Sequence, residues 1–187
     1  MKAIKSIPIF LCVVLVLGCA AGRKGTSSGI SAEARSYYKQ GVTLSRGNRL
    51  QEALTAFQKA ISISPLYGDA YYNMGVVADK LGRTDDAIEA YRTAVAINPR
   101  DVQARCNLGD VLLRKHQVGY AIPELEQAVK IDPNYARAHN SLAFAYYVAR
   151  LYDRAWIQLN EAKRLGYTPS PDLVRALTAA MKPEAKE

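Results

Sequence analysis

The sequence repeats with a period of 34 residues, and this period limits the possible folds more than any other feature. Prolines mark it at Pro65, Pro99 and Pro133. Four further columns keep the same register: small residues at Gly41, Gly75, Gly109 and Ala143, alanines at Ala53, Ala87, Ala121 and Ala155 and at Ala60, Ala94, Ala128 and Ala162, and large apolar residues at Phe57, Tyr91, Leu125 and Leu159. Such a period is typical of a solenoid, in which each unit buries its apolar face against its neighbours.

The residue types in these columns suit units built from paired helices. Glycine and alanine let paired helices approach closely, and the large apolar column fills the space between them. Each proline ends a second helix, because it lacks a backbone N–H and keeps the preceding residue out of the helical conformation. The stretch LGRT at 81–84 is predicted to be the turn within one unit, with Gly82 free to adopt a positive φ. Pro123 falls inside a second helix, and we expect it to be tolerated near the first turn, where amides lack partners anyway.

The segments "AYYNMGVVADKLGRTDDAIEAYRTAVAINP" and "ARCNLGDVLLRKHQVGYAIPELEQAVKIDP" resemble the tetratricopeptide repeat. The resemblance covers most of the chain and implies an all-α fold, a right-handed α-solenoid of four helix pairs with a concave inner groove. The units are expected at 34–67, 68–101, 102–135 and 136–169. The first and last units are less regular: Gln40 replaces the apolar residue found at Met74, and Tyr167 stands in the proline column.

A short helix is predicted after the fourth unit. Ser170, Pro171 and Asp172 have the order of an N-cap, a first-position proline and an acidic first turn. The apolar residues that follow share one face at helical spacing: Leu173, Ala176, Leu177 and Ala180. We predict a capping helix at 170–182 that covers the last repeat, followed by a charged tail at 183–187.

The N-terminus has the pattern of a signal peptide at 1–18: a positive start, an apolar run and small residues. The apolar run is too short for a comfortable membrane span. Val16, Leu17, Gly18 and Cys19 resemble the lipobox of bacterial lipoproteins, which implies cleavage before Cys19 and acylation of its thiol. By resemblance to lipoproteins of Gram-negative bacteria, Ala20 after the cysteine implies the outer membrane, facing the periplasm, in an organism that has one. A plain signal peptide with an incidental cysteine and an uncleaved anchor are the alternatives, and residues 19–33 are predicted to form a flexible tether.

The first helix of each unit is expected to line the groove, and helical periodicity selects the face that does so. In the second unit that face carries Asp69, Tyr72, Val76, Asp79 and Lys80. The other units contribute, in the same register, Arg35, Tyr38, Val42, Ser45 and Arg46; Gln103, Cys106, Asp110, Leu113 and Arg114; and Arg137, Asn140, Phe144, Tyr147 and Val148. These residues together are called the groove face below.

The aromatic residues of the groove face have two readings each. Phe144 and Tyr147 either anchor a partner's side chain or pack against the capping helix. Tyr38 and Tyr72 either meet a ligand or stack between adjacent units. Repeated Asn73 and Asn107 would suit a clamp for a partner's C-terminal carboxylates, but the lysines that such a clamp requires are not in matching places, so structural bonding between helices is favoured.

Composition and cysteine usage exclude several other classes. The net charge of +8 comes without the basic run typical of nucleic-acid binders. No phosphate-binding loop or metal-ligand spacing occurs, so we expect no cofactor, metal or small-molecule substrate. Cys106 and His139 are a candidate nucleophile and base in adjacent units, but a small cysteine in the groove or core is the favoured interpretation of Cys106. We therefore expect a non-enzyme.

These expectations combine into one function. The chain is expected to be a membrane-anchored scaffold that binds a peptide or helix of a protein partner, similar to the assembly lipoproteins of type IV pili and secretion systems. A scaffold for cell-wall or outer-membrane biogenesis enzymes and a periplasmic holdase-type chaperone are the alternatives.

Overall fold

The computed structural model describes residues 29–181, which form nine helices and no strand. The signal peptide, Cys19, most of the tether and the charged tail lie outside the described residues. The helices are α1 (Ala32–Arg46), α2 (Leu50–Ile63), α3 (Gly68–Lys80), α4 (Thr84–Ile97), α5 (Val102–Arg114), α6 (Val118–Ile131), α7 (Ala136–Val148), α8 (Tyr152–Arg164) and α9 (Pro171–Ala180). Between residues 29 and 181 no helix has the length and hydrophobicity needed to cross a membrane.

The helices pack in consecutive pairs, which confirms the all-α solenoid. The most extensive contacts join α1 to α2, α3 to α4, α5 to α6 and α7 to α8. Each pair then meets the next through α2–α3, α4–α5 and α6–α7, and first helices also touch each other, α1 with α3 and α5 with α7. This arrangement buries the alanine columns completely or almost completely, so the repeated small residues mark the contacts between helices.

The glycine column packs closely against the large apolar column within each of the first three pairs. A Cβ on Gly41 would lie 2.6 Å from Cε1 of Phe57, and one on Gly109 would lie 2.5 Å from Cγ of Leu125. Phe57 and Leu125 are both fully buried. The predicted roles of the two columns are therefore confirmed: glycine removes the side chain that would hold the two helices apart.

The turns within the units share a backbone conformation that repeats every 34 residues. Gly82 has a φ of 73°, as its sequence predicts. The same position is occupied by Asn48, His116 and Arg150, which have φ values of 58°, 57° and 61°. The left-handed backbone conformation suits glycine and asparagine but costs other residues free energy. His116 and Arg150 therefore adopt it because the packing of the helices on either side of the turn requires it.

In units one to three, a proline follows the end of the second helix, as predicted. Helices α2, α4 and α6 stop two residues before Pro65, Pro99 and Pro133, and the intervening residue has a ψ of 87° to 96° in each case. Helix α8 ends differently, because Tyr167 occupies the proline position. There Gly166 adopts a φ of 84°, and the N–H of Tyr167 donates to the carbonyl of Ala162 at 2.9 Å.

Pro123 lies deeper in its helix than predicted. Helix α6 begins at Val118, so Pro123 is its sixth residue rather than a member of the first turn. The expectation that it is tolerated holds, since the helix continues to Ile131. The residue four positions earlier is Gly119, which is exposed, so the carbonyl that loses its helical partner can bond to water.

The two ends of the described solenoid explain the irregular units. Gln40 on α1 is exposed, whereas its equivalents Leu108 and Leu142 are buried, because no earlier described helix packs on α1. At the other end, the Ser170 side chain accepts a hydrogen bond from the N–H of Asp172 at 3.2 Å and caps α9, as predicted. Helix α9 buries Leu173 and Leu177 against the cluster that contains α7 and α8 residues.

Candidate partner-binding groove

Neighbouring first helices are linked across the groove face by pairs of residues 35 positions apart. Nδ2 of Asn73 donates to Oη of Tyr38 at 3.1 Å, and Nδ2 of Asn107 donates to Oη of Tyr72 at 3.4 Å. In the third position of this series the two residues are Cys106 and Ser141, which are both buried. The recurring asparagines therefore connect units, as the structural reading of their repetition predicted.

Tyr38 and Tyr72 form the floor of the groove face. The Tyr38 ring lies 4.9 Å from the ring of Tyr67 and 5.9 Å from that of Phe57. Tyr72 lies 6.0 Å from Tyr91, and both groove tyrosines are half-buried. Burial raises the pKa of Tyr72, and the hydrogen bond from Asn107 opposes that rise. Both tyrosines thus hold adjacent helices together, in line with the packing alternative.

Cys106 occupies the same column but offers no surface to a partner. It is fully buried, so its prediction as a groove-lining residue is corrected: the side chain is too short to reach the surface and is covered by the next unit. Burial, and secondarily the charge of Asp110, raises the pKa of its thiol to about 12. A nucleophilic cysteine needs a lowered pKa, so this thiol is not activated.

His139 does not assist Cys106. Its ring Nδ1 lies 2.7 Å from Oε1 of Gln158, and its Nε2 lies 3.0 Å from the carbonyl oxygen of Pro133. The described residues also contain no group of three or more histidine, cysteine, aspartate or glutamate side chains that could hold a metal ion. The arrangement of Cys106 and His139 is that of a packed core, not of a nucleophile and its base.

Two ion pairs join units across the groove face. Arg114 pairs with Asp79 of the preceding unit, and Arg137 pairs with Asp110 at 2.6 Å. Partial burial lowers the pKa of Arg137, but the charge of Asp110, the hydrogen bond that it accepts from Arg137, and the charges of Cys106 and Tyr135 together outweigh burial and raise the pKa overall. Sequence periodicity placed these four residues on one face but did not reveal their pairing, which depends on how long side chains extend along the helix.

Unit four presents the apolar part of the groove face. Phe144 is 43% exposed and Val148 is 42% exposed, so the capping helix does not cover Phe144. Tyr147 behaves differently: its ring lies 6.0 Å from that of Tyr152, and it packs against the core cluster to which α9 contributes. Of the two alternatives, exposure to a partner therefore fits Phe144, whereas packing within the chain fits Tyr147.

Asn140 lies one helical turn before Phe144 and has an unsatisfied amide. Its Oδ1 is buried without a hydrogen-bond partner in the described structure. Asn140 stands in the column of Tyr38 and Tyr72, which are bonded by the next unit. No further repeat follows unit four in the described residues, so the series of links between units ends here with an unpaired polar group.

The remaining predicted groove residues vary in exposure. Val42 and Val76 are half-buried and pack against the clusters below them. Arg46 and Lys80 are exposed in the last turns of α1 and α3. Two open depressions lie elsewhere: one of about 450 Å³ beside Arg150, at the turn before α8, and one of about 250 Å³ between α2, α3 and α4.

The fold and the groove face define a class of protein, the α-solenoid built from repeated helix pairs that exposes a continuous face of first helices. The family models narrow this class. A tetratricopeptide repeat model matches residues 68–101, and a TPR repeat model matches residues 34–82 and 117–148, together more than half of the chain. The chain belongs to the tetratricopeptide repeat family, whose members mediate protein–protein interactions.

Solved structures share this fold. The chain is 27% identical to YrrB, described as a TPR protein with an unusual peptide-binding site, with 78% of this chain and 73% of that chain covered and a TM-score of 0.65. It is 24% identical to MamA from Desulfovibrio magneticus RS-1, with 73% and 77% covered and a TM-score of 0.68. It is 19% identical to the first TPR of Spaghetti (RPAP3) bound to the HSP90 peptide SRMEEVD, with 64% and 94% covered and a TM-score of 0.62. No curated protein sequence matches the chain.

Proposed function

We propose that this protein is a lipid-anchored scaffold that captures a segment of a protein partner along its groove face. The observation that carries the proposal is Phe144, a large aromatic side chain that is 43% exposed on the groove face. Leaving such a ring in water costs free energy that a partner's apolar side chain would recover.

The lipid anchor is supported by the sequence alone. Cys19 follows an apolar run and a small residue, as in bacterial lipoproteins. Two or three acyl chains on this residue would hold the solenoid stably at a membrane, which a single chain does not achieve. We place the protein at the outer membrane, facing the periplasm, where it would serve the assembly of a pilus or secretion complex.

Two solved relatives support a peptide or helix as the captured element. YrrB is described by its peptide-binding site, and the Spaghetti (RPAP3) repeat was solved with a bound peptide. This chain shares the fold of those proteins, but we infer its groove contacts from its own side chains. The proposal includes neither a nucleic acid nor a small-molecule substrate, and it assigns no catalytic role to the buried Cys106.

Site-specific photocrosslinking in cells tests the groove. A photoreactive amino acid replaces Phe144 in the full chain, and a matched control places it at Ile157, which is 62% exposed on the second helix α8. We expect one defined adduct from position 144 and none of the same mass from position 157. Equal adducts from both positions, or none from 144, would refute a groove-bound partner.

Metabolic labelling with a palmitate analogue tests the anchor. The full chain should incorporate the label, and the Cys19→Ala variant should not. If both proteins label equally, the lipoprotein assignment is wrong. The adduct from position 144 identifies the process: a pilus or secretion component supports the proposed role, whereas a peptidoglycan enzyme or a mixture of unrelated proteins would replace it by one of the two alternatives.

A further inference from the structure

The groove face changes its chemistry from one end to the other. The pairing of Asp79 with Arg114 shows that residues 35 positions apart meet across neighbouring first helices. One repeat earlier the same register places Ser45 at the position equivalent to Asp79 and Lys80 at that of Arg114, so Lys80 has no carboxylate in the pairing position. One repeat later the register pairs Leu113 with Val148, two apolar residues.

The first two units carry cations without ionic partners. Arg35, Arg46 and Lys80 are exposed on the groove face, and none of them forms an ion pair within residues 29–181. The carboxylate that remains unpaired on this part of the face is Asp69, whose charge acts on Tyr38 together with that of Arg46. Positive charge therefore exceeds negative charge at this end of the groove.

In the last two units the charges of the groove face are paired, and apolar side chains are exposed. The charged side chains Asp110, Arg114 and Arg137 are satisfied by ion pairs there. Apart from the exposed Gln103 on α5, the exposed side chains that remain here without a polar partner in the described chain are apolar: Phe144 and Val148 are each more than two-fifths exposed on consecutive turns of α7. A partner would find few uncompensated charges at this end and a patch suited to an aliphatic or aromatic side chain.

We propose that the groove binds a partner segment with acidic residues at one end and apolar residues at the other, the acidic end over units one and two and the apolar end over unit four. This inference rests on the proposed function and adds the composition and placement of the bound segment. Carboxylates of the segment bond to Arg46 and Lys80, while its apolar side chains cover Phe144 and Val148. In the opposite order, apolar side chains would cover the exposed cations, and carboxylates would lie on Phe144. Charged groups would then lose water without gaining an ionic partner at both ends, which costs free energy.

Arg46 and Lys80 also have a structural use that must be separated from binding. Each lies in the last turn of its helix, where a cation interacts favourably with the helix dipole. Replacing both by glutamine removes that effect together with any contact to a ligand. Thermal unfolding of the variant reports the structural loss, and peptide affinity reports the binding loss, so the two are measured independently.

Fluorescence anisotropy with defined peptides tests the composition of the segment. The probe is a labelled peptide with a glutamate block, a Gly-Ser spacer and a leucine block, titrated with the full chain in detergent. One control peptide has lysines in place of the glutamates, and another has serines in place of the leucines. We expect the glutamate–leucine peptide to bind about tenfold more tightly than either control, with the advantage over the lysine peptide falling as salt is raised. Equal affinities for the glutamate and lysine peptides would overturn the proposal.

Variants and crosslinking test the placement. Arg46→Gln with Lys80→Gln, and separately Phe144→Ser, should each weaken the glutamate–leucine peptide about tenfold. The matched controls are Arg92→Gln and Ile157→Ser, exposed on the second helices α4 and α8, and they should leave affinity unchanged. A photoreactive group in the leucine block should label α7. Labelling of α1 or α3 instead, or an unchanged affinity in the Arg46 and Lys80 double variant, would overturn the placement.

The outcome separates this inference from the proposed function. A cellular adduct at position 144 that persists in the double charge variant would leave the scaffold standing and refute the acidic end of the segment. Tight binding of the glutamate–leucine peptide without any cellular adduct at 144 would support the groove chemistry and refute the capture of a natural partner there.

Discussion

The ring of Tyr91 occupies the space that a side chain on residue 75 would need. A Cβ on Gly75 would lie 2.7 Å from Cε1 and 2.8 Å from Cδ1 of that ring, closer than real Cβ atoms approach other heavy atoms. Tyr91 is almost completely buried between α3 and α4, so its ring cannot swing into solvent. The glycine therefore sets the distance between the two helices of the second unit.

We predict that Gly75→Ala destabilises the protein by about 1–3 kcal/mol, because the added methyl group must displace a packed aromatic ring. This outweighs the gain of up to about 1 kcal/mol that alanine brings to a helix interior. Urea unfolding followed by circular dichroism measures the difference. Gly119→Ala is the matched control: a Cβ there meets nothing within 4 Å, so stability should rise or stay unchanged. A loss in both variants would contradict the steric account.

The repeat columns made the fold predictable, because each column combines a residue type with one packing role. Glycine at residue 75 and an aromatic at residue 91 indicate a close helix contact before any coordinates are known. The same reasoning failed at Cys106. Its column placed it on the groove face, but burial depends on how far the side chain extends and on what the next unit lays over it.

The repeat periodicity also could not predict which charged side chains pair with each other. The sequence placed Asp79 and Arg114 on the groove face of different units, yet their contact requires a particular offset between the two helices. The left-handed turn at Arg150 was missed for another reason. Arginine has no preference for that conformation, and the signal available was its distance of two repeats from Gly82.

We predict that Arg150→Gly stabilises the protein by about 0.5–1 kcal/mol. Left-handed backbone costs a residue with a side chain about 1–2 kcal/mol, and the greater freedom of glycine in the unfolded chain cancels part of the gain. Differential scanning calorimetry should show a higher Tm. The equivalent turn supplies the reverse test: Gly82→Ala, at a φ of 73°, should lower the Tm. A fall in Tm in both variants would show that backbone strain does not govern these turns.

The buried thiol of Cys106 should make stability depend on pH in the alkaline range. Burial raises its pKa from 9.0 to about 12, so the folded state keeps the proton while the unfolded state loses it above pH 9. The stabilisation is complete below pH 9 and is lost as the pH rises towards 12. At pH 10 the loss from this group amounts to about 1 kcal/mol.

Urea unfolding at pH 8 and pH 10 measures this contribution in the full chain and in Cys106→Ala. The variant is expected to be less stable at pH 8, because the substitution leaves a small cavity. Its further loss between the two pH values should be smaller than that of the unaltered chain by about 1 kcal/mol. Identical losses in the two proteins would mean that the thiol titrates normally, and hence that it is not buried in solution.

The capping helix depends on two leucines, and Leu177 is the one that is fully buried. It packs into the cluster that contains Leu159 and Ala155 of α8. We predict that Leu177→Ala costs about 2–4 kcal/mol, because truncation removes apolar contact and leaves a cavity. Since α9 has only ten residues and cannot persist without this contact, its detachment would expose the apolar edge of unit four. Hydrogen exchange should therefore accelerate across α9 and α8 but not across α1 and α2. Thr178→Ala, on the exposed side of the same helix, should leave both stability and exchange unchanged, and an equal effect of the two substitutions would mean that α9 does not act as a cap.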